Sequence, residues 1–148
     1  MTGTTMKRQV QTQAGFTLIE VTIAIIILGV GLLALATMQA TSLKGNVTAN
    51  QVSVSSNWAA NRIERIMALA YDHSELQDRN NSGALGLDAM DETADGQEVS
   101  PDGYYTIYWN VAEDSPMPNL KTVRVIVHRK ERGQDKRVVM DYIKAKYF

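Results

Sequence analysis

The sequence predicts an α+β fold: one long N-terminal helix whose second half packs on a C-terminal antiparallel sheet. Three observations carry this expectation. Residues 21–38 form an uncharged apolar run, and a one-sided apolar pattern at helical spacing follows it, with no proline before Pro101. Residues 72–103 then turn acidic and glycine-punctuated. From residue 104 onward apolar positions alternate with polar ones, the period of a half-buried strand.

The apolar run comes first in the chain. With Phe16–Ile19 in front of it, the stretch reaches membrane-spanning length. Lys7 and Arg8 precede it and belong on the cytoplasmic side. Glu20 interrupts it. A carboxylate at that depth is expensive, and such residues normally have a partner and a function. A secretory signal cleaved at Ala34-Leu35-Ala36 would need no acid, and neither would a plain signal anchor.

Gly15-Phe16-Thr17-Leu18-Ile19-Glu20, at the lip of an apolar helix, resembles the class III signal of type IV pilins and the related pseudopilins. The resemblance implies the pilin fold and a structural, non-enzymatic filament subunit. It implies that a prepilin peptidase cuts between Gly15 and Phe16 and methylates the new amine of Phe16. The apolar helix then survives in the mature chain. Glu20 is expected to pair with the charged amine of Phe16 on a neighbouring subunit and so to set register during assembly. The implied division is a leader at 1–15, a membrane and filament-core half-helix at 16–42, and a globular head at 43–148. Implied partners are the prepilin peptidase, other major and minor pilins, the inner-membrane assembly platform, and the membrane itself through the N-terminal helix. The chain would sit single-pass in the inner membrane with its head in the periplasm, then in a filament at the cell surface.

The wording from Ile27 to Gln39, with Asn57-Trp58-Ala59-Ala60-Asn61-Arg62-Ile63 further on, is similar to PilV-type minor pilins acting in pilus assembly or initiation. The I-type minor pseudopilins of type II secretion come next. Outside this superfamily, the alternative is a secreted or periplasmic ligand- or DNA-binding module. Many major pilins carry a proline within the apolar segment; this chain has Gly29 and Gly31 there. Each lowers helix propensity by about 1 kcal/mol, and with Ala24 and Ala34 they also let neighbouring helices approach closely.

Beyond the run, Leu43, Val47, Val54, Trp58, Ile63, Ile66, Met67 and Ala70 recur at steps of three, four and seven. They predict a core-facing stripe, with Gln51, Asn57, Asn61, Arg62 and Arg65 among the outward residues. One helix is expected from about Phe16 to about Tyr71.

Residues 72–103 carry nine acids against the single base Arg79, with sparse, unpatterned apolar residues. They read as a long exposed contact loop. Asp78-x-Asn80-x-Ser82-Gly83 matches the front of a calcium loop, with Asp88 near its far end. Position twelve is Ala89, where a bidentate Glu belongs. A solvated Asx-type turn therefore competes with Ca2+ for these residues.

Three strands are expected in 104–148. In the first, Tyr105, Ile107, Trp109 and Val111 face the core; in the second, Val123, Val125 and Val127 do. In the third, Val138, Met140 and Tyr142 compete with Val139, Ile143 and Ala145 for the buried side. Cysteine is absent, so no disulfide closes this region. Catalysis finds no constellation: His73 and His128 lie in different elements without an evident nucleophile. The run Arg129–Arg137 holds five bases against two acids. The whole chain carries −1, and loss of Lys7 and Arg8 with the leader makes it −3, which gives no case for DNA as a partner.

Overall fold

The computed structural model describes residues 15–131 and 134–146. Residues 1–14 of the expected 1–15 leader lie outside them, as do Arg132 and Gly133 of the basic run. Helix α1 is a single 51-residue element, Leu18–Ala68. Two compact units divide at Gly45 and Asn46.

In the first unit the side chains of residues 18–45 are exposed throughout. By length and composition this part of α1 is apolar enough to cross a membrane. Its three threonine hydroxyls between Leu18 and Gly45 bond within the helix. Thr22 Oγ1 donates to the Leu18 carbonyl at 2.8 Å, Thr37 Oγ1 to Ala34 at 2.8 Å, and Thr41 Oγ1 to Thr37 at 3.0 Å. A helix that meets its own polar groups in this way can enter hydrocarbon without stranding them. The helix runs unbroken through Gly29 and Gly31, and a Cβ at either would meet nothing within 4 Å. Neither glycine is required by packing within the chain.

In the second unit, four strands follow α1: β1 (Gly96–Val99), β2 (Thr106–Glu113), β3 (Leu120–Glu131) and β4 (Gln134–Ala145). They form an antiparallel meander in the order β1-β2-β3-β4. Its inner face is the alternating set expected: Tyr105 just before β2, Ile107, Trp109 and Val111 from β2, and Val123, Val125 and Val127 from β3. Register decides β4. Val138, Met140 and Tyr142 stand directly opposite Val127, Val125 and Val123, and directly opposed residues share a face. Met140 and Tyr142 accordingly pack on the core, while Val139 and Ile143 face outward.

The helix buries a stripe that keeps Ile66 of the one expected but is shifted toward Gln51, Ser55, Ala59 and Arg62. Gln51, Ser55, Ala59, Arg62 and Ile66 are buried, at steps of four, four, three and four. Leu43, Val47 and Met67 are exposed, and Val54, Trp58 and Ile63 are only partly covered. Ala59 and Ile66 belong to the hydrophobic core, and Val54, Trp58, Ile63 and Leu69 pack against it. Ser55 satisfies its own hydroxyl on the Gln51 carbonyl at 2.9 Å. Arg62, expected outside, is 5 % exposed. Its guanidinium lies 3.6 Å from the centre of the Trp109 ring and is paired with Glu75 and, at 3.7 Å, with Glu98. A buried cation persists only when paired and stacked in this manner.

Residues 72–103 also depart from expectation. They are not a free loop: they contain 3-10 turns at Ser74–Leu76 and Gly83–Gly86, and then β1. Leu76, Leu87, Asp95 and Ser100 are buried. Polar pegs hold the segment against β2. Asn110 Nδ2 donates to the Leu87 and Ala89 carbonyls at 2.9 Å each, and its Oδ1 accepts from Asp95 N at 3.2 Å. The Asp95 carboxylate accepts from Arg79 N at 2.8 Å and Val111 N at 2.7 Å. Buried polar groups satisfied this completely add order rather than cost.

Two buried lysines close the far end of the core. Lys121 and Lys144 are cross-strand partners on the inner face. Lys144 Nζ donates to the Met67 carbonyl at 3.0 Å, at the C-terminal end of α1, where a cation favours the helix dipole. Lys121 Nζ donates to the Leu76 carbonyl at 2.7 Å and to Glu113 at 3.0 Å. Each charge has its own acceptors, which offsets the repulsion between them.

Gly96 stands opposite Trp109, and a Cβ there would lie 2.0 Å from the indole Cζ2. The ring cannot yield, since Arg62 stacks on it. Gly96→Ala is expected to destabilise the second unit by about 2–3 kcal/mol, the upper range for overpacking. Thermal unfolding followed by near-UV circular dichroism of the Trp109 band measures it. An unchanged midpoint would show that the indole has room to move.

Candidate functional site

The residues singled out at the N-terminus sit at the start of α1. Gly15, Phe16 and Thr17 precede the first helical residue and are exposed, Phe16 at 84 %. The Gly15–Phe16 bond is thus outside the helical hydrogen-bond ladder, and a Cβ at Gly15 would meet nothing within 4 Å. Gly15, Phe16 and Thr17 are therefore unobstructed by the rest of the described residues.

Thr17 starts the helix. Its carbonyl accepts from Glu20 N at 3.1 Å and Val21 N at 3.3 Å, and its Oγ1 accepts from Glu20 N at 3.4 Å. Thr17-x-x-Glu20 is therefore spaced as a capping box, with the acid in the first turn beside the positive end of the dipole. That signal stands in the sequence and gives Glu20 a local role. An N-terminal acid of this kind contributes about 0.3–1 kcal/mol. Phe16 and Glu20, four residues apart, border one shallow hollow of about 490 Å³ with Val21, Ala24, Ile25 and Leu28. The charged and aromatic groups of the motif thus lie together on one otherwise apolar face.

The calcium candidates are not gathered in this way. Asp78 uses both carboxylate oxygens on the chain, accepting from Ser82 N at 3.0 Å and Gly83 N at 2.7 Å. Asn80 Oδ1 accepts from Ser82 N at 2.9 Å, and its amide donates to the Thr93 carbonyl. Asp88 turns elsewhere and pairs with Arg124 at 3.0 Å. Asp78–Gly83 thus forms an Asx-type turn, with Gly83 at φ +57°. Among the described residues no three His, Asp or Glu side chains are assembled to hold a metal.

Both histidines are used locally. His73 Nδ1 accepts from Glu75 N at 3.2 Å, capping the first 3-10 turn, and His128 Nε2 lies 3.2 Å from Asp135. In the basic run, Arg129 donates to the Tyr105 hydroxyl at 2.9 Å and lies over the Tyr104 and Tyr105 rings. What the sequence reading missed is the Arg62–Trp109 stack. The spacing of Ala59, Arg62 and Ile66 was its only signal.

A chain with an apolar N-terminal helix, an exposed small-aromatic junction ahead of it, and a helix-on-meander unit is pilin-like in architecture. The prokaryotic N-terminal methylation motif matches residues 11–36, which span the Gly15–Phe16 bond, Glu20 and most of the apolar run. This match supports the type IV pilin and pseudopilin superfamily, whose members are structural. A motif of this type implies processing by prepilin peptidase and association with pilins and the membrane. Comparison with curated proteins and with solved structures found no match to the chain.

Proposed function

We propose that this chain is a minor pilin, a low-copy filament subunit acting in assembly or initiation of a type IV pilus. The observation that carries it is the conjunction at the start of α1: an exposed Gly15–Phe16 bond, then Glu20 as the only charged side chain between Phe16 and Leu43. Cleavage there leaves the helix in the mature chain and creates a cationic amine on Phe16, which methylation does not discharge. The amine of one subunit and Glu20 of the next each offset the other's desolvation cost within an apolar filament core. That pairing sets the axial register. The second unit contributes surface, and its acidic segment offers contacts to neighbouring subunits. The methylation motif is common to pilins and secretion pseudopilins, and the preference for a minor pilin rests on the resemblance of residues 27–39 and 57–63 to PilV-type chains.

The test is location. In cells that assemble pili, the processed chain should be recovered with filaments sheared from the surface, at a small fraction of the major subunit. A chain confined to the membrane while filaments assemble normally would remove the proposal.

A further inference from the structure

The two edges of the sheet are unlike. β1 is four residues long and is followed by Pro101, a blunted edge. β4 is twelve residues long, holds no proline or glycine, and pairs with β3 from Gln134 to Ala145 without a bulge. Among the described residues no strand covers its other side. A long regular edge is a template for another strand.

A row of charge crosses the outer face and stops at this edge. Asp88 pairs with Arg124 at 3.0 Å, and Arg124 donates to both oxygens of Asp141 at 2.7 Å. The guanidinium holds the Asp141 carboxyl below the usual carboxylate range, so Asp141 is a standing anion on β4. Two of its lone pairs remain unused. One strand-step pair away on the same face, Arg137 is exposed and makes no ion pair among the described residues. Val139 lies between them, 41 % exposed.

We infer that β4 pairs antiparallel with β4 of a second copy of this chain, about a two-fold axis through Val139. A continuous antiparallel sheet made by a two-fold must set one residue opposite its own copy, so the candidate registers are few. Centring on Arg137 or on Asp141 opposes like charges at the axis. Centring on Val138 sets Asp135 against the partner's Asp141, and centring on Met140 sets Lys136 against the partner's Lys144. Centring on Val139 alone places Arg137 opposite the partner's Asp141, and does so twice. It also sets Val138 against the partner's Met140. The charge row then continues across the joint from one sheet to the next. Such a pair is closed and adds no third copy through the same edge. Resting on the filament-subunit reading proposed above, such a closed pair differs from a contact that extends a filament.

The absence of cysteine makes the test clean. Val139→Cys and Ile143→Cys are made separately in the full chain, in membranes, and oxidised. Both positions are exposed on the same face, so neither change should disturb the fold. In the inferred register the two residues at 139 have Cα atoms about 4.5–5.5 Å apart, within disulfide reach. The two at 143 are about 27 Å apart, at roughly 3.4 Å per residue. Val139→Cys should give a covalent dimer and Ile143→Cys should not. Adding Arg137→Glu should cut the Val139→Cys yield roughly tenfold, because two attractive pairs become repulsive. Equal yields at 139 and 143, no dimer at 139, or a yield indifferent to Arg137→Glu would each overturn the inference.

Discussion

Glu20→Ala is expected to leave export and cleavage intact and to deplete the chain from filaments by at least about a hundredfold. The change makes the helix more apolar, so insertion should not suffer. On the proposed pairing, however, the amine of a neighbouring Phe16 loses its mate. An uncompensated buried charge costs about 3–5 kcal/mol, and each 1.4 kcal/mol is tenfold in a competition between subunits. The helix-start role of Glu20 predicts something much smaller. Thr17 already accepts the first amides of α1, so losing the acid would cost about 0.3–1 kcal/mol, a two- to five-fold effect. Glu20→Gln separates the two further. Glutamine serves a capping box as well as glutamate does but does not neutralise an amine, so pairing predicts an intermediate defect and capping predicts none. The quantity to measure is processed chain in sheared filaments relative to processed chain left in the membrane. Near-equal ratios for wild type and Glu20→Ala would restrict Glu20 to its local role.

Arg62→Ala should destabilise the second unit by about 3 kcal/mol, as much as truncating a large core side chain. It removes a stack on Trp109 at 3.6 Å from a site only 5 % exposed, and a desolvated cation–π contact contributes about 2 kcal/mol or more. It also removes the shared partner of Glu75 and Glu98. Those carboxylates are more than a third exposed and can rehydrate, so the full cost of a stranded buried ion does not apply. Arg62→Lys keeps the charge but not the flat stacking surface, and should recover about half the loss. Denaturant unfolding of the three chains, followed by tryptophan fluorescence, gives the comparison. A loss under about 1 kcal/mol for Arg62→Ala would mean that Trp109 and Ala59 hold the interface without it.

Much of the fold was legible because it rests on apolar periodicity. The alternation in β2 and β3 named their inward residues correctly, and those residues are the core. The helical stripe was legible in part: Ile66 is buried and Val54, Trp58 and Ile63 pack against the core, whereas the buried Gln51, Ser55 and paired Arg62 give no apolar signal. Residues 72–103 were read as a free loop for a related reason. Asp95 and Asn110 tie that segment to β2 through amide and carbonyl partners, and no apolar repeat announces hydrogen bonds of that kind. The ambiguity in β4 was a one-residue register question, decided only by which residues of β3 stand opposite. At the N-terminus, position carries the information: a small residue, an aromatic, and an acid four residues on, all at the lip of an apolar helix. The sequence displays that pattern in full, and the structure adds Thr17 as the helix start.

The most direct test of the account is the N-terminal residue of the chain extracted from membranes of cells with active prepilin peptidase. Intact-mass and N-terminal fragment analysis should find Phe16 first, carrying one methyl group, with the whole of α1 retained. A chain beginning at Thr37, after the Ala34-Leu35-Ala36 site, or one still carrying residues 1–15, would contradict it.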